Sequence, residues 1–138
     1  MKTMMRFIAV VLTAGVFASA LAAQESADEQ NKRVEKILKL AVQNLKVTLK
    51  GNNDNLKESA MAVVRDLKQA YPQAKLSGTI IPLMNILRTH SENSMRILAA
   101  LTLKEIGDDK AFFAISEAAK FDSSSVVRHI CASITKSE

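Results

Sequence analysis

Met95-Arg96-Ile97-Leu98-Ala99-Ala100-Leu101-Thr102-Leu103-Lys104-Glu105-Ile106 is the stretch that decides the fold, because the chain contains it more than once. Leu56-Lys57-Glu58-Ser59-Ala60-Met61-Ala62-Val63-Val64-Arg65-Asp66-Leu67 overlays it at an offset of 39 residues. Val127-Arg128-His129-Ile130-Cys131-Ala132-Ser133-Ile134 overlays it at an offset of 32. Each copy opens with an apolar residue and a base, and places a small residue three positions further on. The segments between them repeat as well: Pro82-Leu83-Met84-Asn85-Ile86-Leu87-Arg88 lies 32 residues before Ala114-Ile115-Ser116-Glu117-Ala118-Ala119-Lys120. The longer first interval fits an insertion between Tyr71 and Gly78. Repeats at this period are the signature of stacked supersecondary units.

Working outward, Val34, Ile37, Leu38, Ala41, Val42, Leu45 and Leu49 recur at three- and four-residue steps. This is the stripe of an amphipathic helix over Lys32–Lys50. Gly51 is expected to cap its C-terminus, and Asn53 or Asp54 to cap the next helix. Leu56, Ala60, Val63, Val64 and Leu67 mark a second helix, which stops by Tyr71-Pro72. A third carries Ile80, Ile81, Leu83, Met84, Ile86 and Leu87. A fourth carries Met95, Leu98, Ala99, Thr102, Leu103 and Ile106, and Gly107-Asp108-Asp109 ends it. A fifth runs from Ala111 to Lys120 and a sixth from about Ser124 to Thr135, with Ser123-Ser124-Ser125 supplying its N-cap. No stretch alternates long enough for a strand. The expectation is an all-α fold.

These residues resemble the HEAT repeat family, in the short bacterial form also found in phycobilisome lyases. The resemblance rests on Pro82 through Arg96, Leu98 to Leu103, Ile106-Gly107-Asp108 and Val127-Arg128 onward. It covers Asn55 to Lys136, with the Lys32–Lys50 helix as a degenerate first member, and the Tyr71–Gly78 loop lacks the compact Gly-Asp turn. It implies a right-handed α-solenoid of about three stacked antiparallel helix pairs, with the even-numbered helices lining the inner curve. One pair cannot cover its own apolar face, so pairs stack and share a core. Ala60, Ala99 and Ala132 would allow close helix crossings. Arg96 and Arg128 are expected to tie neighbouring turns together, through Asp108 and Asp122 respectively.

The first residues read differently. Lys2 and Arg6 precede an apolar run from Phe7 to Ala18, closed by Ser19, Ala20, Ala22 and Ala23. A basic start, a short apolar core and an Ala-x-Ala site describe a secretory signal peptide over residues 1–22, with a cut after Ala23 as the one-residue alternative. An uncleaved anchor is the competing reading, at the lower limit of length for a span. Residues 23–31 are polar and acidic and are expected to be a flexible lead-in to a helical domain over 32–138. The protein is thus expected to be exported, periplasmic or secreted. Losing Lys2 and Arg6 lowers the formal charge of +5 by two, too little to argue for nucleic acid. Absence of Trp and a single Tyr also disfavour a base-stacking surface.

Residues capable of chemistry are sparse. One Cys excludes an internal disulfide and any multi-Cys zinc site. His90 reads as an exposed turn residue, since no partner lies at metal-ligand spacing. His129 and Cys131, two apart on a helix, point to different faces and do not make a catalytic pair. Cys131 fits a small buried hydrophobe, the alternative being an intermolecular disulfide. Glu105, Asp108 and Asp109 suit a helix end, and no nucleotide, nucleophile-elbow or metalloprotease motif is present. No catalytic, cofactor or metal site is therefore expected. The third and seventh positions of the even helices should face outward: Glu58 and Ala62, Ile97 and Leu101, His129 and Ser133. Exposed large apolar groups on that face mark a partner site, unless the N-terminal helix folds over them. The expected role is a protein-interaction or scaffold module, with a peptide or protein held by Ile97 and Leu101 and oriented by Glu58, Arg65 and His129. Other readings are a cofactor-handling, lyase-like repeat protein, suggested by the resemblance, or a self-associating periplasmic structural protein.

Overall fold

A computed structural model describes the backbone of residues 2–136 and the side chains of residues 23, 24 and 26–136. The expected signal peptide, residues 1–22, lies outside the residues whose side chains are described. Six α-helices and no strand are found among the described residues: α1 Lys2–Lys50, α2 Asp54–Ala70, α3 Ser77–Thr89, α4 Asn93–Ile106, α5 Asp109–Phe121 and α6 Ser125–Lys136. The all-α expectation holds. No helix is long and apolar enough to cross a membrane, among the described residues. The chain divides into two units, Met1–Ile37 and Leu38–Glu138.

In the first unit, the backbone of residues 23–31 is helical. Ala, Glu and Gln are strong helix formers, and Arg33 reaches Glu29 one turn back at 2.9 Å. The described side chains here are exposed, including Val34 and Ile37 at the start of the apolar stripe.

The second unit contains the core. Its stripe on α1 is shorter than expected: Leu45 and Leu49 are buried and Val42 packs against them. Leu49, Met61, Leu83, Leu87, Leu103 and Ile115 are fully enclosed, and burial of each contributes about 2 kcal/mol. The even helices neighbour one another in order, α2 against α4 and α4 against α6; α3 packs on α5, and α3/α4 and α5/α6 form hairpins. The repeat register is visible in burial. Ala60, Ala99 and Cys131, at offsets of 39 and 32, are all buried, so Cys131 rather than the expected Ala132 occupies the third small-residue crossing. Leu56, Val63 and Ile81, among the apolar residues that mark α2 and α3, are exposed.

Local chemistry ends each helix. Gly107 adopts φ 70, ψ 33, and its N–H bonds to the Leu103 carbonyl; only glycine takes this left-handed cap without strain. Gly51 follows Lys50 at the end of α1, as expected of a cap, but without the left-handed conformation, Gly107 being the one positive-φ glycine among the described residues. Its N–H bonds to the Thr48 carbonyl and closes the helix. Asn53 caps α2 by accepting the Leu56 N–H, and Asp108 accepts the Lys110 N–H at the start of α5. The Ser124 carbonyl accepts the Arg128 N–H at the start of α6. At Gly78 a Cβ would stand 3.0 Å from Val42 Cγ1. Absence of a side chain there lets α3 approach α1.

Candidate functional site

Two polar junctions tie the repeated pairs together, and a groove lies beside them. In the second junction Arg96 donates from Nε to Asp122 Oδ2 at 3.0 Å and from Nη2 to Oδ1 at 2.9 Å. The same guanidinium donates to the carbonyls of His90 and Ser91 and to Asn93 Oδ1. Its side chain is 7% exposed and that of Asp122 is 6%. A bidentate pair at this depth persists because the remaining donors are satisfied as well. Arg128 repeats the pattern 32 residues on, donating from Nη1 to the carbonyls of Asp122 and Ser123. The expected partners therefore need correction. Arg96 pairs with Asp122, not Asp108, and Arg128 binds main-chain oxygens beside Asp122 rather than its carboxylate. Asp108 is committed to capping α5. Burial raises the Asp122 pKa, but the Arg96 hydrogen bonds, the Ser124 N–H and the nearby guanidinium charges outweigh it and hold the carboxyl below 3.8.

The first junction has the opposite polarity. Here the acid, Asp54, sits on the even helix, and the residue ending the odd helix is His90. His90 Nε2 lies 3.1 Å from Asp54 Oδ1, and Nδ1 accepts the Glu92 N–H at 3.2 Å. That acceptor role assigns the proton to Nε2, which donates to Asp54. Lys57, the counterpart of Arg96, donates to the same carboxylate at 3.0 Å. Hydrogen bonds from His90 and then Lys57 hold Asp54 below 3.8 against a small burial effect. The His90 side chain is 9% exposed. The expected exposed turn residue is instead a packed connector.

Between α2 and α4 runs an open groove of about 520 Å³, lined by Glu58 and Asp54 on one wall and Ile97, Leu98 and Leu101 on the other, with Glu92 at its end. A second depression of about 290 Å³ continues along the same helices past Arg65, Asp66, Lys104 and Glu105, and Leu101 borders both. Four of the five expected partner residues, Glu58, Arg65, Ile97 and Leu101, thus line one continuous surface. His129 is exposed on α6 and lines neither depression. Ile97 is half-buried and packs against the core, while Leu101 is 38% exposed. Arg65 differs from Arg96 and Arg128: its Nε is buried without a hydrogen-bond partner. Sequence reasoning missed Asp54, Glu92 and Leu98 as lining residues. Two acids near helix starts and one leucine of an apolar stripe carry no chemical signal that separates them from their neighbours in the sequence.

Cys131 is a free, fully buried thiol. Burial, with a smaller contribution from the Asp122 charge, pushes its pKa up to about 11, which leaves it protonated at neutral pH and a poor nucleophile. Among the described residues no group of His, Cys, Asp or Glu has the arrangement of a metal site. Compared with known proteins, the chain matches no family model, no curated protein and no solved structure.

Proposed function

We propose that this chain is an exported, HEAT-like α-solenoid of about three stacked helix pairs, and that it serves as a protein-binding or scaffold module rather than as a catalyst. The Arg96 and Arg128 contacts, repeated at a 32-residue offset onto the carbonyls that end α3 and α5, support the stacked-pair reading. One observation carries the binding reading: the α2–α4 groove gathers Glu58, Arg65, Ile97 and Leu101 along two adjacent helices. An apolar strip between an acidic end and an unpaired guanidinium suits a short peptide or helix with apolar anchors, a basic group at one end and a carboxylate at the other. Ile97 and Leu101 would supply anchoring area, Glu58 and Arg65 the polarity of binding, and His129 lies outside this groove. Export rests on the N-terminal pattern of residues 1–22 and is tested by N-terminal sequencing of the protein from the exported fraction.

Affinity capture from that fraction tests the groove. Ile97→Asp with Leu101→Asp should abolish capture of the partner while the far-ultraviolet circular dichroism is unchanged, and Arg65→Glu should weaken it. Retention of the partner by the double variant would refute the assignment of this face.

A further inference from the structure

Within the second unit, α1 has two faces and the core uses only one of them. Over residues 38–50, Val42, Leu45 and Leu49 pack inward. Leu40 and Val47 do the reverse, at 53% and 71% exposure. These two lie within about 20° of each other around the helix, on the side opposite Leu45 and Leu49. Lys39, Lys46 and Lys50 form a second line on one flank of that row, within about 40° of one another, and all three are exposed. None of them makes an ion pair among the described residues, and residues 38–50 include no acid. In the sequence the charge is more concentrated still. Residues 32–50 hold six of the 19 bases and only Glu35 of the 14 acids, so they carry the whole formal charge of +5 and the rest of the chain balances to zero. No α1 residue lines either depression of the α2–α4 groove.

We infer that this face of α1 seats the protein on an anionic lipid surface, with Leu40 and Val47 entering the headgroup boundary and Lys39, Lys46 and Lys50 meeting lipid phosphates. An exposed apolar row beside a basic row, on a helix that is not apolar enough to cross a membrane, has the composition of an interfacial helix. Charge selects the occupant. Three unpaired lysines with no acid among them attract a surface of phosphate groups, whereas a second copy would bring three more cations and no acid to the contact. Shape favours the same choice. A helical or extended partner is normally gripped in a groove, but the outward side of a single helix is a ridge, which a fluid bilayer accommodates without a preformed concavity. Lysine suits the boundary because its long stem lies along apolar surface while the ammonium stays in water. The inward face fixes the presentation: Leu45 and Leu49 are buried in the core, so α1 cannot roll to cover Leu40 and Val47.

Vesicle binding by the chain purified from the exported fraction tests this. The protein should co-sediment with phosphatidylglycerol vesicles at about 0.1 M salt and not with phosphatidylcholine vesicles, and raising the salt to about 0.5 M should release it. Lys39→Glu, Lys46→Glu and Lys50→Glu together should weaken binding by about fivefold for each lysine lost. The same charge change at the exposed Lys75, Lys110 and Lys136 should weaken it far less. Leu40→Ser with Val47→Ser should also weaken binding at an unchanged circular dichroism spectrum; two variant sets are specified so that a folding defect in one leaves the other. The chain has no tryptophan, so Val47→Trp supplies a lone reporter. Its emission should move to the blue on phosphatidylglycerol vesicles, and that of Ser133→Trp should not. Ile97→Asp with Leu101→Asp should leave vesicle binding unchanged, which separates this face from the groove. Equal binding to the two lipids, or equal losses from the two lysine sets, would overturn the inference. Absence of vesicle binding would overturn it too, and loss of a captured protein by the α1 lysine variant would then make this face a protein contact.

Discussion

The two junctions occupy equivalent places in successive pairs yet are built from opposite parts. In one, a guanidinium on α4 meets a carboxylate at the end of α5, both almost wholly buried. In the other, a carboxylate on α2 meets an imidazole at the end of α3, with the acid half exposed. The geometry conserved between them is the joining of an even helix start to an odd helix end; the sign of each charge is free. Depth then sets the energetic weight. An exposed ion pair is screened and contributes little, whereas removing one member of a buried pair strands the other without water.

The largest difference should follow Arg96→Met. It leaves Asp122 and two main-chain carbonyls without their donor and should cost about 3–5 kcal/mol in urea unfolding; a loss under about 1 kcal/mol would remove the distinction between the junctions. Asp122→Asn, which retains shape and some hydrogen bonding, should cost about 1.5–3 kcal/mol. His90→Ala, at the first junction, should cost less, about 1–2 kcal/mol, because the carboxylate it donates to is half exposed and takes up water in its place.

Acid titration sharpens the contrast. Both aspartates are held below 3.8 in the fold, so their stabilisation is complete above that value and is lost as pH falls through the lower folded values. Unfolding stability should therefore hold its junction contribution down to about pH 4 and decline below it. Asp122→Asn should flatten that decline more than Asp54→Asn does. An equal effect of the two would contradict the depth argument. The smallest signal is a rate: native Cys131 should react with a thiol reagent only through opening of the fold. Arg96→Met should accelerate that labelling, because it raises the open population, while His90→Ala should barely change it.

Much of the helical layout was legible because it rests on local rules. Gly107, Asn53 and Asp108 act where their side-chain or backbone chemistry requires, and the 32-residue offset aligns real structural equivalents. Reading failed where a neighbour decides. The stripe through Ile37, Leu56, Val63 and Ile81 is periodic, but periodicity says only that a face is apolar, not that another element covers it. Arg96 was recognised as a tie and given the wrong acid, since Asp108 and Asp122 both lie near helix ends and only packing selects between them. His90 looked solvent-facing for the same reason. Four groove residues were found because they share one helical register; His129 shares it too, but belongs to a helix that does not border α2.

The sequence by itself determined that the described chain is helical, where most helices stop, and which positions repeat, because backbone propensity, caps and 3.6-residue periodicity act within a few residues. Only the tertiary structure decided which apolar faces are covered, which acid Arg96 meets, and that Arg65 lines a groove with its Nε buried and without a partner. Those outcomes depend on contacts between residues far apart in the chain, where burial turns a surface charge into a fixed partner and an uncovered leucine into a candidate contact.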